Sequence, residues 1–528
     1  MDADVLIAGA GPTGLMLANQ LCRRGVRVLV IERNAGPARE TRALGVQART
    51  LEIYAKLGIA DRALALGLQA TGANLWTDGR RTARVPLGDI GRALSPYPFL
   101  LILGQDANER LLGEALQAHG QTVHWNTALS GLTQQADRCI ATLKQADGSE
   151  HRVEVGWVAG CDGAHSVVRH LNQIAFEGAP YEQVFFVADT AATGDMVPDE
   201  LNIYLWPHGF HLFFPLRGED HWRVVGILPA ALRDKPGLSF DDVVPSMRAQ
   251  AGDALKFKTC TWFSPYRIHH RRAQRFHAGR CFLLGDAAHI HSPVGAQGMN
   301  TGLQDAYNLA WKLALVVNGQ ASEPLLDSYT AEREPVAQRL LETTDRAFSQ
   351  VVSETWLARS FRTRLLPLVV AAAMRIERVR RFAFRTISQI GIKYPESRLS
   401  ERCGELPGDA PQPGERFPWV HLRFGEQHSR EDVFERLDDT RFNLIAIGQE
   451  PPAALPAALT GMLAVHTVAA EGDNAVELNR VGLPLRACYL LRPDGHIGLA
   501  GARLTGEDIA RYARERLHLQ AEPTLRPH

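Results

Sequence analysis

At 528 residues the chain has room for about three domains on the usual ~100–200 residues each. Lys plus Arg and Asp plus Glu both total 58, so no overall field draws the chain to nucleic acid or to an anionic membrane surface. Cysteines at 22, 139, 161, 260, 281, 403 and 488 form no CxxC pair, which argues against a zinc site or dithiol redox centre and fits a reducing cytoplasm.

Met1-Asp2-Ala3-Asp4 is acidic and runs straight into Val5-Leu6-Ile7-Ala8, which reads as a strand buried on both faces rather than a signal peptide. Gly9-Ala10-Gly11-Pro12-Thr13-Gly14 follows and opens a helix with Leu15, Ala18, Leu21 and Cys22 on one side. Gly25 ends that helix, and the strand Arg27-Val28-Leu29-Val30-Ile31 finishes in Glu32 and Arg33. This is a βαβ start with GxGxxG at its junction. Gly9, Gly11 and Gly14 suit a tight turn, close approach to a pyrophosphate, and close helix–strand packing. Glu32, 18 residues after Gly14, is placed to accept from ribose hydroxyls. A purely structural glycine turn is the plain alternative, and the motif by itself leaves FAD and NAD open.

Arg42 to Arg49 precedes a helix from Thr50 to Leu57. Leu100 to Leu103 reads as a strand, and Gln105-Asp106 opens another helix. Val153 to Ala159 is apolar and ends in Gly160-Cys161-Asp162-Gly163, an acid–glycine turn into a helix where Ser166 and Arg169 share a side. From about 175 to 265 short strands and turns predict an antiparallel sheet. Alternation puts Asn202, Tyr204 and Trp206 on one face and Leu201, Ile203 and Leu205 on the other. His211 and Phe213 are candidates to line a substrate pocket there, with ordinary sheet core as the alternative. Trp76, Tyr97 and Phe99 are candidates to close it from the dinucleotide side.

The strand Arg280-Cys281-Phe282-Leu283-Leu284 ends in Gly285-Asp286, and a small-residue loop, Pro293 to Gly298, enters a helix through Met299 and Asn300. A carboxylate and a positive helix end therefore converge, which suits a polyol chain ending in a ring that takes on negative charge. His289, His291, His269 and His270 have no carboxylate or cysteine at supporting spacing, so no metal site is expected. His289 reads instead as a hydrogen-bonding part of the loop. The basic run Arg267, His269, His270, Arg271, Arg272, Arg275 is either a solvated strand edge or a docking patch for nicotinamide cofactor phosphates.

Helices are expected over 302–395. The apolar run from Leu365 to Met374 is far short of the ~20 residues of a membrane span. Cys403 to Gly414 is a Gly/Pro-rich linker. Beyond it come strands, a Pro493-Asp494-Gly495 turn, and a last helix with Thr505 as N-cap and Asp508 as its partner.

Taken together, GxGxxG with Glu32, Arg42 with Gln105, the Asp162-Gly163 turn, and the run from Gly285-Asp286 through Pro293-Val294-Gly295-Ala296-Gln297-Gly298-Met299-Asn300 resemble the single-component FAD-dependent aromatic hydroxylases. That flavoprotein group is typified by para-hydroxybenzoate hydroxylase; nearest in pattern are phenol, pentachlorophenol and polyketide hydroxylases and rifampicin monooxygenase. The resemblance implies an α/β fold: a Rossmann-like FAD-binding domain (1–175 and 266–395), an inserted antiparallel substrate sheet (176–265), and a thioredoxin-like C-terminal domain (403–528).

The same resemblance assigns Gly9, Gly11, Pro12, Thr13 and Gly14 to the FAD pyrophosphate. Glu32 and Arg33 go to the adenosine end, and Arg42, Gln105 and Asp286 to the phosphates and ribityl chain. Asp162-Gly163 serves FAD and the transient NADPH or NADH. Pro293 and the backbone of Gly298, Met299 and Asn300 face the reacting ring. The implied activity is hydroxylation of a small aromatic or phenolic substrate by dioxygen through a flavin C4a-hydroperoxide, in a monomer or homodimer. Baeyer–Villiger insertion, epoxidation or oxidative dehalogenation on the same core, or a flavin- or ligand-binding protein without turnover, stay open. No side chain stands out as a base for a substrate hydroxyl.

Overall fold

The computed structural model describes residues 1–38, 43–207, 209–252, 254–291, 297–352, 361–425 and 429–520, with side chains placed except at 344–352 and 362. Its first sheet holds Ala3–Ala8 in the middle. Val28–Ile31 lies on one side, Glu150–Gly160 on the other, and Cys281–Leu283 follows beyond that. All four run parallel. Their residues are near-continuous β-branched and aliphatic runs because helices cover both faces. The helix Pro12–Cys22 packs between Gln105–Ala118 and the long helix Gly298–Val317. Parallel order brings four carboxyl ends to one edge: Gly9–Gly14, Glu32, Cys161-Asp162-Gly163 and Gly285-Asp286 all leave the sheet there. Open α/β sheets bind ligands at such edges.

The second sheet has eight strands, in the order His289–Ile290, Lys256–Ala273, Phe176–Thr193, His221–Ile227, Gly209–Pro215, Leu201–Trp206, Ala73–Thr77 and Arg80–Val85. It is wider than the 176–265 stretch read from the sequence. Ala73–Thr77 joins in parallel to Leu201–Trp206, and Lys256–Ala273 continues to the segment after Gly285-Asp286, where it pairs with His289–Ile290. Strand alternation in 73–85 is short and broken by Asp78-Gly79, so its partner lay too far along the chain to be read locally. One face of the sheet is sealed by the helix Phe240–Ala251, whose Phe240, Val243 and Met247 pack on Tyr204, Phe213 and Phe186. The other face meets Leu44, Leu100 and Ile102 of the dinucleotide side.

The C-terminal sheet has five strands, in the order Glu401–Arg402, Ile497–Gly501, Ala487–Leu491, Phe442–Ile447 and Leu463–Val468. It therefore begins one strand earlier than the expected linker at 403. Thr505 and Asp508 form the anticipated reciprocal cap on the final helix, Gly506–Glu515.

Candidate flavin site

At the first junction, a Cβ on Gly14 would lie 2.0 Å from the Gly9 carbonyl oxygen, so only glycine permits that approach. A Cβ on Gly11 would meet nothing within 4 Å, which leaves its backbone facing open space, as close approach of a ligand requires. That space is a cavity of about 250 Å³ lined in part by Gly11, Glu32, Arg33, Gln105, Asp162 and Gly163. Glu32 accepts from the Ala10 N–H at 3.0 Å and, with its other oxygen, from the Asn34 backbone and side chain. The acid thus ties the glycine turn to the second strand on the cavity wall. Gln105 donates to Glu109 at 2.8 Å.

Asp162 accepts from the Val167 and Val168 N–H groups with Oδ2, while its buried Oδ1 has no partner among the described residues. Burial pushes this carboxyl up from its ordinary range. Such a group needs a donor, and a cofactor hydroxyl or amide in the cavity would supply one. Ser166 caps the following helix by accepting from the Arg169 N–H. Arg169 itself stands over the Phe176 ring and donates to the Ala287 and Ala164 carbonyls, linking the two acid-bearing turns.

Asp286 is exposed on the 285–287 turn. A Cβ on Gly302 would sit 2.4 Å from Thr13 Oγ1 and 3.1 Å from Gly285 Cα. Thr13 therefore packs into the angle between the turn and the long helix, and Pro12 opens the first helix beside it. The long helix has no side-chain cap, and its first backbone bond runs from the Thr301 N–H to the Gln297 carbonyl. The amides of Gly298, Met299 and Asn300 precede that ladder at the helix's positive end. The Asn300 side chain points elsewhere: it accepts from the Gln47 N–H and Thr50 Oγ1 and donates to the Gly45 carbonyl. Met299 sulfur accepts from Asn108 at 3.3 Å.

Several residues that hold this turn were not picked out in the sequence. Asp305, fully buried, accepts from the Gly285 N–H at 3.0 Å, His289 Nε2 at 2.8 Å and Arg333 Nε at 2.7 Å. Burial would raise the Asp305 carboxyl, but Arg333 and His289 outweigh it and hold it below the usual range. The loop role expected of His289 is this contact. His291 stands beside the helix start, where a Cβ on Gly298 would come within 3.4 Å of its ring. An acid seven residues into a helix and an arginine 28 residues further give no local signal.

Arg42 and Pro293 lie outside the described residues. His211 and Phe213 are both buried within the sheet domain. Both face the helix Phe240–Ala251, with Phe213 completely buried and the His211 ring stacked on Trp206 at 5.6 Å. Burial drives the His211 pKa down to about 3. Trp76 lies on that same covered face, stacked on Tyr204. Tyr97 and Phe99 meet edge-to-face next to the dinucleotide core.

Residues 2–344 match the model of the FAD binding domain family. The chain belongs to this FAD-binding family. It is 34% identical to 6-methylpretetramide 4-monooxygenase of Streptomyces rimosus over 98% of this chain and 94% of that protein. It is 31% identical to pentachlorophenol 4-monooxygenase of Sphingobium chlorophenolicum over 94% and 86%. Its fold matches that of the flavin-dependent monooxygenase PieE, solved with FAD and substrate, with a TM-score of 0.81 at 26% identity over 98% and 99% of the two chains. The resemblance read from the motifs holds: this is an FAD-dependent monooxygenase of the aromatic hydroxylase type, with FAD as cofactor and NAD(P)H the reductant typical of the family.

Proposed function

We propose that this enzyme hydroxylates an apolar, ring-bearing phenolic substrate held between the flavin ring and the half-buried aliphatic face of the eight-stranded sheet. The observation carrying this reading is a row of side chains across that face. Leu75, Ile203, Leu212 and Val225 are directly opposite one another on successive strands, and all four are half-buried. Aliphatic side chains left half-buried where the sheet meets Leu44, Leu100 and Ile102 of the dinucleotide side suit an aromatic ligand's flat, apolar surface. The same face carries Arg223, paired with Asp189 at 2.5–2.6 Å and set over Trp262.

In this reading Gly11 and Gly14 admit the pyrophosphate, Glu32 and Arg33 border the adenosine, and Gln105, Asp162 and Asp286 hold the polyol chain. Bound FAD supplies the electron acceptance and oxygen activation. The amides of Gly298, Met299 and Asn300, which precede the helix ladder at its positive end, would steady negative charge on a bound ring, worth about 3 kcal/mol per well-placed donor. The apolar row keeps water from the reacting atoms. Beside the 289–290 strand, His269 is surrounded by Arg271, His165 and His270; partial burial and these like-signed neighbours lower its pKa. The positive charge there comes from Arg267 and Arg271 of the same strand, which are suited to receive the phosphates of the nicotinamide cofactor. The C-terminal sheet with its flanking helices we read as a thioredoxin-like domain without redox cysteines.

Replacing Asp286 by Ala should weaken FAD binding by at least about 10-fold, read from the FAD retained on purification and by titration of apoprotein. Full occupancy in Asp286→Ala would overturn the ribityl assignment. Substrate class is tested by screening phenols for faster NAD(P)H consumption with product formed in step.

A further inference from the structure

The Pro493-Asp494-Gly495 turn joins two strands of the C-terminal sheet, yet it is buried against the FAD-binding domain instead of lying in solvent. Tyr307 and Trp311, both on the long helix from Gly298, donate to the Pro493 carbonyl and to Asp494 Oδ2 at 3.3 and 3.2 Å. Arg49 donates to the Asp494 carbonyl at 2.6 Å. Beside the turn, Arg492 is 1% exposed and reaches out of its own domain to Glu332, making two bonds of 2.6 and 2.9 Å. Glu332 also receives Lys312 at 2.8 Å and Ser397 at 2.5 Å.

Glu332 lies on the helix Asp327–Val352, and the next residue along it is Arg333. Its Nε meets Asp305 at 2.7 Å, and its other nitrogens hold the Tyr394 hydroxyl and the Thr301 carbonyl. Asp305 in turn accepts from the Gly285 N–H and from His289. Arg492 Nε also donates to Asp494 Oδ1 at 3.1 Å, so a continuous path runs from Asp494 through Arg492, Glu332–Arg333 and Asp305 to the backbone of the 285–290 turn. Every charged member is buried. Forked guanidinium–carboxylate pairs fix distance and plane together, and a buried charge that loses its partner is strongly penalised. Such a path has little slack.

We propose that Arg492 and Glu332 are positioning residues of the flavin site, through which the C-terminal domain fixes the 285–290 turn and with it the Asp286 carboxylate. The consequence for the cofactor rests on the reading of Asp286 as its anchor. A domain with no redox pair would then contribute to flavin binding by geometry alone.

The test uses the full chain, as apoprotein and FAD-loaded, with Arg492→Lys and Glu332→Gln. The first keeps the charge but loses the fork; the second alters no group on the C-terminal domain. Hydrogen exchange is followed in peptides covering 285–290 and, as a control, the strand Phe442–Ile447. Both variants should speed exchange at 285–290 and raise the FAD dissociation constant by about 10-fold, the usual scale for residues that orient a site through others, with 442–447 still protected. Two results overturn the proposal: wild-type exchange at 285–290 in both variants, or equal loosening of 442–447 in both, which would make the path general core. Faster exchange at 285–290 with an unchanged FAD dissociation constant would keep the coupling and remove Asp286 from the cofactor site.

Discussion

The two faces of the eight-stranded sheet differ by one residue along each strand and do opposite work. Trp76, Tyr204, His211, Gly226 and Phe186 form one row; Leu75, Ile203, Leu212, Val225 and Val187 form the row beside it. The first row contains the rings and the histidine, which by chemistry alone look like a binding site. It is the core, closed by the helix Phe240–Ala251. The second is plain aliphatic, and four of its five members are only half-buried, with Leu212 and Val225 set against Leu44, Leu100 and Ile102. Pleating dictates that neighbours point oppositely, but what covers each face decides which one a ligand can reach.

If that division is right, the largest effect should come from Phe213→Ala. Phe213 is fully buried, with Tyr204, Trp222 and Phe257 rings around it at 5.4–6.5 Å. Its truncation should cost about 3–5 kcal/mol in denaturant unfolding, with KM for substrate unchanged in the folded fraction. A large KM change without loss of stability would return this face to the substrate.

His211 probes the same face through pH. Its pKa is about 3 when folded against 6.5 when free. Between these values the unfolded chain takes up the proton and the folded chain does not. Its contribution is full above pH 6.5 and is lost as pH falls toward 3, reaching roughly 2 kcal/mol at pH 5. His211→Leu should therefore gain stability relative to wild type by that amount between pH 7 and pH 5. A pH-independent difference would mean that the ring is hydrated.

The two faces also mark how far the sequence could be read. GxGxxG with Glu32, the Asp162-Gly163 turn and the Gly285-Asp286 stretch were legible because each packs its chemistry into one strand–turn–helix of local residues. Alternation correctly paired His211 with Phe213 on one side of a strand. It carried no information on which side that was, because the deciding helix lies about 30 residues downstream and the adjoining strand, Ala73–Thr77, more than 100 upstream. Asp305, Glu332, Arg333 and Arg492 were missed for a related reason. Isolated charges on helices and strands look like solvated surface until the fold buries them against one another.

The smallest expected effect falls on the half-buried aliphatic face and is the most discriminating. Val225 lies in the aliphatic row, flanked by Leu212 and Val187 on neighbouring strands. Because it is half-buried, Val225→Trp can turn its extra bulk into the substrate space rather than the core. Stability should then change by less than about 1 kcal/mol, while KM for a ring-bearing substrate rises about 10–100-fold, the scale set by altered apolar fit in a pocket. NAD(P)H consumption should also come partly uncoupled from product, since a displaced ring leaves the reacting atoms open to water. Were Val225→Trp instead to unfold the chain as readily as Phe213→Ala, both faces would be core, and the substrate would have to bind elsewhere.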